Sequence, residues 1–403
     1  LQIGAIVFRR NFIIQHSTFN IQHSLLHVHV LSIIILVAWV LAFACTLVNL
    51  ILVPHLRADR RALREPLVSV IIPARDEARV IERTVRSFLA QTYPNIEIIV
   101  VNDRSSDGTG AIVRGIGDAR IIVIDGDEPP AGWLGKPWAL HQGSQRAKGE
   151  IILFVDADLH YGPDAMRAAV AMMEERGSAL LTLLPFFEMR GFGENATIPM
   201  MAMTCLTFLP LWISNRTRIE RLAIGGGTGN LVLRNAYDAV GGHTALRDAV
   251  VDDISLARLI RRGGGTTTVV RADHMVSLRM YHGLGNVIEG FTKNAFAVFG
   301  RSYVVTLMAV IGSILFHILP YALALTGDRI GIATAAIITL TRLILFRSLR
   351  YRLDNAIFLH PVMVAIWVWI DIRSAWQTGV RRKLLWRGRT YDARETRFGA
   401  ERR

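Results

Sequence analysis

Apolar residues fall into two kinds of run along this chain: long uncharged stretches near both ends, and short strand-length runs between them. Residues 11–56 contain no Lys, Arg, Asp or Glu, and 30–53 is almost wholly apolar. A bilayer crossing needs about 20 such residues, so 30–53 is expected to form a transmembrane helix. Residues 303–327 are a second uncharged stretch of sufficient length. The runs 330–346 (interrupted by Arg342) and 355–370 are shorter. At about 1.5 Å per residue each only just reaches across. Between these ends the runs 68–72, 96–101, 120–124, 151–155 and 179–184 read as buried strands. A helix is expected over 77–91, with Val80, Ile81, Thr84, Val85 and Phe88 on one face. Others are expected from Asp107 and over 138–147. Strand and helix alternating at this spacing predict an α/β fold, a parallel sheet with helices on both faces. Residues 198–213 are apolar but broken by Pro199 and Pro210. They suit a helix lying on the membrane surface or a buried core helix equally.

The expected organisation is an extension over 1–29, a transmembrane helix over 30–53, an α/β domain over 66–300, a membrane region over 303–373 and a basic tail over 374–403. The first apolar stretch is too long for a cleaved signal peptide and lacks a small-residue cleavage site. The extension carries four His and begins with Leu rather than Met, as a fragment or misplaced start would, and no function is read there. Hydrophobic residues make up 51% of the chain, and the long stretches account for the excess. The formal charge of +13 raises the question of nucleic acid, but its distribution argues against that partner. Arg57, Arg60, Arg61 and Arg64 follow the first span, and Arg381, Arg382, Lys383, Arg387 and Arg389 follow the last apolar run. Such placement favours anionic headgroups on the cytoplasmic side. The same rule predicts two crossings after residue 300, with one short segment re-entrant or interfacial, so that the basic tail stays cytoplasmic. Cys45 and Cys205, the only cysteines, sit in apolar settings and exclude a disulfide framework or cysteine metal site.

Candidate chemistry begins where the run 151–155 opens into Asp156-Ala157-Asp158. Open α/β sheets bind ligands at the carboxyl ends of their strands. Two carboxylates one residue apart at that edge suit a hard divalent cation bridging to a substrate diphosphate. Alone the triplet is a weak signal, and a solvated turn is the plain alternative. Two further strand ends strengthen it. The first strand runs into Pro73-Ala74-Arg75-Asp76-Glu77, the second into Asn102-Asp103-Arg104-Ser105-Ser106-Asp107-Gly108-Thr109. Asp107 and Thr109 suit a helix cap, and Asp76-Glu77 a helix N-terminus. Three strand ends each offering carboxylates nevertheless point beyond capping, and Asp103 suits hydrogen bonds from a nucleobase or ribose. Lys136, in Gly132-Trp133-Leu134-Gly135-Lys136-Pro137, precedes a helix. It is either a solvated surface lysine or a point charge for a phosphate. Gly225-Gly226-Gly227-Thr228-Gly229-Asn230 precedes an apolar run rather than following one, so it is no dinucleotide fingerprint. A plain turn and a close backbone approach to a ligand both remain open. After Gly241-Gly242-His243, the pair Asp252-Asp253 opens a helix, as a cap or as a general base whose pKa desolvation or its acidic neighbour would raise.

Together these residues resemble the family 2 inverting glycosyltransferases with the GT-A nucleotide-diphospho-sugar-binding fold, over residues 66–300. The resemblance implies a mostly parallel, mixed sheet with helices on both faces, joined here to transmembrane helices. It further implies that Pro73, Ala74, Arg75, Glu77, Asp103, Ser105, Lys136 and Asp156 hold a nucleotide-sugar donor. Asp156 and Asp158 would hold Mn²⁺ or Mg²⁺, with Asp158 the stronger ligand. In the catalytic pair Asp252-Asp253, Asp253 would deprotonate the acceptor hydroxyl, with Lys136 and either Arg301 or His282 assisting. Asp76 stands where the family often has Asn, and Asp252 where Glu is common. The segment 132–136 and the flanking membrane runs are similar to hopanoid-associated, ceramide and carotenoid glycosyltransferases. The Gln-x-x-Arg-Trp motif of processive synthases is missing, Arg279-Met280-Tyr281 being the nearest match. The implied activity is therefore transfer of one sugar from a nucleotide-diphospho-sugar, a UDP-sugar, to a lipid acceptor such as a hopanoid, ceramide or carotenoid at a bacterial-type inner membrane, with the catalytic domain in the cytoplasm. A processive polysaccharide synthase and a catalytically silent membrane scaffold are the alternatives.

Overall fold

The computed structural model of the chain describes residues 2–380, 383–386 and 389–392. The basic tail expected over 374–403 lies partly outside them, Arg381, Arg382 and Arg387 included. The strands of its two larger sheets are β1 (Val68–Ala74), β2 (Ile96–Asn102), β3 (Ile121–Asp125), β4 (Ile151–Phe154), β5 (Leu159–Tyr161), β6 (Leu180–Leu184), β7 (Phe186–Phe187), β8 (Asn230–Leu233), β9 (Thr267–Arg271) and β10 (Val276–Leu278), and Lys383–Trp386 pairs with Arg389–Asp392 in a two-stranded sheet. Seven form one sheet in the order β3-β2-β1-β4-β8-β6-β9, and β5-β10-β7 form a smaller one. The first four strands of the large sheet are mutually parallel. β8 enters antiparallel between β4 and β6, and β9 lies parallel to β6. The sheet is thus mixed and mostly parallel, as the resemblance implies.

Residues alternate across a strand, so each apolar run feeds two cores. Val68, Val70 and Ile72 of β1 pack with Val85, Phe88 and Met166 on one face. Ile71 packs with Ile99, Leu140, Ile152 and Leu256 on the other. Each fully buried Val or Ile contributes about 1.5–3 kcal/mol, which is why these runs read so plainly as strands. Helices α1 (Gln2–Leu52), α2 (Ile81–Leu89), α3 (Thr109–Gly115), α4 (Gly135–Arg146) and α5 (Ala165–Arg176) accompany the first half. α2 begins at Ile81 rather than at residue 77, because the intervening loop bonds elsewhere. The backbone N–H of Glu77 donates to Thr109 Oγ1 (2.8 Å) and that of Ala78 to Asp107 Oδ2 (2.8 Å).

Short helices α6 (Phe192–Asn195), α7 (Ile198–Met203), α8 (Leu211–Ser214) and α9 (Arg234–Ala239) follow, then α10 (Asp252–Arg262) and α11 (Gly283–Val298). The ambiguous run 198–213 is buried against the end of α1. Asn49 Nδ2 donates to the carbonyls of Leu206 (2.9 Å) and Leu209 (2.8 Å), and Thr46 Oγ1 to Thr207 Oγ1 (3.1 Å). Those polar contacts fix the run against the end of that helix.

The C-terminal region comprises α12 (Tyr303–His317), α13 (Leu319–Leu325), α14 (Arg329–Ser348), α15 (Leu353–Phe358) and α16 (His360–Ser374). Among the described residues, three helical stretches are long and apolar enough to cross a membrane: His27–Leu52, Tyr303–Leu325 and Arg329–Ser348. The run 355–370 is divided between α15 and α16, with Pro361 in the first turn of α16. Arg342, which interrupts the apolar pattern of α14, braces that break. Fully buried, it donates from Nε to Ala356 O (2.8 Å) and from Nη2 to Asn355 O (3.0 Å), and it stacks on Phe346. A carbonyl oxygen has two lone pairs, so Asn355 O takes the guanidinium as a second donor beside the Leu359 N–H (3.3 Å).

α1 is joined to the large sheet without a flexible linker. Arg271 N donates to Pro54 O (2.7 Å) and Leu56 N to Arg271 O (2.9 Å), extending the β9 edge by one residue. Elsewhere, Glu194 of α6, whose side chain is 1% exposed, ties that helix to the segment after β10 by pairing with Arg279 (2.7 Å). Burial alone raises the Glu194 pKa, but Arg279 and the N–H groups of Arg190 and Gly283 outweigh it and bring it from 4.5 down to about 2. A carboxylate with a depressed folded-state pKa stabilises above its unfolded value and loses that contribution as pH falls towards the folded one. Glu194→Gln is therefore expected to destabilise the protein by about 3 kcal/mol at neutral pH. Its deficit should shrink between pH 4.5 and about 2. Thermal unfolding in detergent across that range checks this, and a deficit independent of pH would rule out the ion pair as its source.

Candidate active site

The strand order places the ends of β2, β1 and β4 side by side, so Asp103, Asp76 and Asp156 emerge on one edge. The loops after β1 and β2 brace each other. Asp103 N donates to Ala74 O (2.8 Å), Asp76 N to Ser105 Oγ (3.1 Å), and Ser106 N to Asp76 Oδ1 (2.8 Å). Asp76 and Arg104 both adopt positive φ, 52° and 54°. Outside glycine this conformation is uncommon, and here the cross-bracing holds it. Asp103 is buried. Arg75 Nη1 donates to its carbonyl (2.9 Å), and the guanidinium groups of Arg75 and Arg104 each lie 3.9 Å from its carboxylate. Pro73 and Ala74 close β1, and Glu77 lies in the braced loop. The Ser105 hydroxyl also donates to Ala74 O (3.4 Å), so it faces the loop interior.

The Asp156-Ala157-Asp158 turn is pinned from below by Thr84 of α2, whose hydroxyl lies within hydrogen-bond reach of the carbonyls of Ala157 (2.7 Å) and Leu159 (2.8 Å). Antiparallel pairing of Phe154 with Asn230 brings the glycine-rich loop before β8 to the same edge. Asp156 N donates to Gly227 O (2.8 Å), and a Cβ on Gly227 would collide with the Asp156 carboxylate. A Cβ on Gly225 would collide with the Asp253 backbone. The loop is thus a close backbone approach to both acidic motifs rather than a plain turn. Asn230 locks it: its Nδ2 donates to Asp253 O (3.0 Å), while its Oδ1 accepts from Thr182 Oγ1 (3.0 Å).

Lys136, in the first turn of α4, reaches across this edge. Its Nζ lies 2.7 Å from Asp156 Oδ1 and 3.4 Å from Asp252 Oδ1. It is no solvated surface lysine. Burial alone would lower its pKa, but Asp156, then Asp252 and Asp253, outweigh that and hold the ammonium above the ordinary lysine value. Asp252 is buried, and this desolvation lifts its pKa to about 6 despite Lys136. Asp253 is half-buried, lines the cleft, and accepts from the N–H of Ile254 (2.7 Å). The two acidic residues opening α10 therefore differ: Asp252 faces the lysine, and Asp253 the open side.

Sequence reading missed His243, Thr182 and Asn230, and left the glycine loop undecided. His243 is buried behind Lys136, with Nδ1 2.7 Å from the Tyr237 hydroxyl and its ring against Phe154. Burial first, then Lys136 and His141, lower its pKa to about 3, so it is neutral. The only signal was the clustering of Gly, Thr and Asn before an apolar run. Among the described residues lining the cleft, neither Arg301 nor His282 appears. Arg279, in the nearest match to the processive motif, instead binds Glu194.

Comparison with known proteins identifies the family and the fold. Glycosyl transferase family 2 is matched over residues 69–274, half of the chain. The chain is 27% identical over 348 residues to a 4,4'-diaponeurosporenoate glycosyltransferase of Staphylococcus aureus (strain MRSA252), covering 84% of this chain and 91% of that protein. The solved structure of the mannosyltransferase PcManGT from Pyrobaculum calidifontis, in complex with GDP-Man and Mn2+, aligns with TM-score 0.50 and 18% identity. That alignment covers 87% of this chain and 99% of the other, a likeness of fold, and the fold is GT-A. The chain belongs to glycosyl transferase family 2.

Proposed function

We propose that the protein transfers a single sugar from a nucleotide-diphospho-sugar, a UDP-sugar, to a lipid acceptor at the membrane surface, with inversion. The observation that carries this reading is the ammonium of Lys136 bridging Asp156 and Asp252 at the carboxyl edge of the sheet. It marks a place where positive charge is needed and where a diphosphate finds a partner. Asp103 and Arg75, with Pro73, Ala74 and Glu77 around them, receive the nucleoside. Asp156 and Asp158 present hard carboxylate oxygens suited to Mn²⁺ or Mg²⁺, and glycine at 227 keeps the space beside Asp156 clear. When bound, the ion supplies charge neutralisation for the departing diphosphate. Asp253, half-buried and on the open side, takes the proton of the acceptor hydroxyl. The acceptor oxygen then bonds to the anomeric carbon from the opposite face as the bond to the diphosphate breaks, and Lys136 stays with the leaving group. Asp252 positions Lys136.

Three helices able to cross a membrane, flanked by Arg57, Arg60 and Arg61, support a cytoplasmic catalytic domain beside its lipid acceptor. The relative named for 4,4'-diaponeurosporenoate favours a second form of the acceptor, a carboxylate. Such a group is already ionised at neutral pH and needs no base. Asp253→Asn separates the two forms when membranes carrying the protein are given labelled UDP-sugars, Mn²⁺ and either a hydroxyl or a carboxylate lipid. With the hydroxyl acceptor, a loss of about 10²–10⁴-fold is expected. A carboxylate acceptor should lose far less, and full activity on both would remove Asp253 from the mechanism.

Lys136 and a divalent ion compete for Asp156. Lys136→Met is accordingly expected to bind Mn²⁺ more tightly without donor, by about tenfold or more, while transferring sugar far more slowly. Calorimetric titration reads the first effect, and weaker Mn²⁺ binding would overturn this assignment. Gly227→Ala should do the reverse, displacing Asp156 and weakening Mn²⁺ binding. The thermal midpoint would stay near wild type, since the residue lies at the sheet edge and outside the cores. A variant that binds Mn²⁺ normally would contradict the proposed cradle.

A further inference from the structure

Away from this cleft, a groove of about 680 Å³ opens where the last turns of α14 meet α15 and the loop after β9. Its walls are Leu343, Ile344 and Leu353, and its rim carries Arg347, Arg350 and His274. We propose that this groove binds the phosphate headgroup and upper acyl chain of an anionic phospholipid. The inference rests on the reading of α1 and α14 as membrane spans.

Polarity along α14 has the layout of a lipid. Leu343 and Ile344 lie four and three residues before Arg347, on the same helical face and one turn deeper towards the middle of the candidate span. An acyl chain alongside the leucine and isoleucine would place its phosphate level with the guanidinium. The Arg347 side chain is exposed, with no hydrogen-bond or ion-pair partner among the described residues. Arg350 is held in place, its guanidinium donating to the Asp273 carbonyl and stacking on Phe186 (4.9 Å), with its backbone at φ 59°. A planar, fixed guanidinium suits a phosphate. Basic pockets beside spans on the cytoplasmic side are where anionic headgroups bind.

A divalent cation is the rival occupant, because ligand atoms of His55, Asp273 and His274 lie within 4.8 Å of one another. The surrounding charge disfavours it. The Asp273 carboxylate is 2% exposed and already pairs with Arg271 (3.3 Å), which also donates to Ser348 O (3.2 Å). With that pair neutral and Arg352 paired to Asp354 (2.6 Å), Arg347 and Arg350 leave the groove net positive. A dication would meet uncompensated guanidinium groups, whereas a phosphate is complementary.

The test uses the full chain in nanodiscs of phosphatidylcholine with or without phosphatidylglycerol, with retained lipid counted by native mass spectrometry. Phosphatidylglycerol should be retained selectively by wild type, with Arg347→Gln reducing retention about fivefold. Arg347→Lys should restore part of it, and millimolar inorganic phosphate should leave it unchanged. Equal retention by Arg347→Gln, displacement by free phosphate, or equal binding of phosphatidylcholine would overturn the proposal. Release of the protein from native membranes by alkaline carbonate would overturn the membrane reading itself, whereas an embedded protein with unselective lipid retention would overturn only this site.

Discussion

Three carboxylates, from Asp156, Asp252 and Asp253, line one cleft at the edge of the sheet, and a half-buried lysine stands among them. Two like charges about 4 Å apart repel by about 4 kcal/mol at an effective dielectric of about 20. Without Lys136 the end of β4 and the start of α10 would not sit together with their acids ionised. The ammonium at 2.7 Å from Asp156 and 3.4 Å from Asp252 offsets that repulsion. It also sorts the acids by role. Asp252 is drawn inwards and desolvated, while Asp253, one residue on, remains at the cleft surface. The same crowding explains the glycine loop, since neither Gly225 nor Gly227 has room for a Cβ against these motifs.

Much of this was legible in the sequence, for physical reasons particular to each element. β1, β2 and β4 are buried on both faces, so they appear as unbroken apolar runs, and their ends can be found by where polarity resumes. Asp103 and Asp156 were found for that reason. Lys136 was not separable from a surface lysine, because its partners lie 20 and 116 residues away and only the closing of α4 and α10 over β4 brings them together. Asn230 and His243 carry no distinctive spacing; their importance comes from hydrogen bonds to Asp253 O and Tyr237. The run 198–213 was ambiguous because apolar periodicity does not distinguish a membrane surface from a core. Asn49 and Thr46, polar residues inside an otherwise apolar helix, hold that run by donating to it.

The register of the mixed sheet links the cleft to the candidate membrane-spanning helices. Phe154 lies opposite Asn230, Asn230 opposite Thr182, and Thr182 beside Val269. Two residues further along β4, β6 and β9, which share one direction, come Asp156, Leu184 and Arg271. Arg271 is the residue to which the end of α1 is bonded through Pro54 and Leu56. The helix that enters the domain therefore docks on the same edge as the acidic cleft and level with Asp156, three strand spacings or about 14 Å away. Arg271 also reaches the end of α14 through Ser348 O, so two candidate spans converge on this one point. A soluble enzyme on this sheet could keep its ligand edge facing any direction. Here rigid backbone pairing, rather than a linker, sets the distance between the reacting edge and the helices, which is what the proposed transfer to a lipid at a bilayer surface requires.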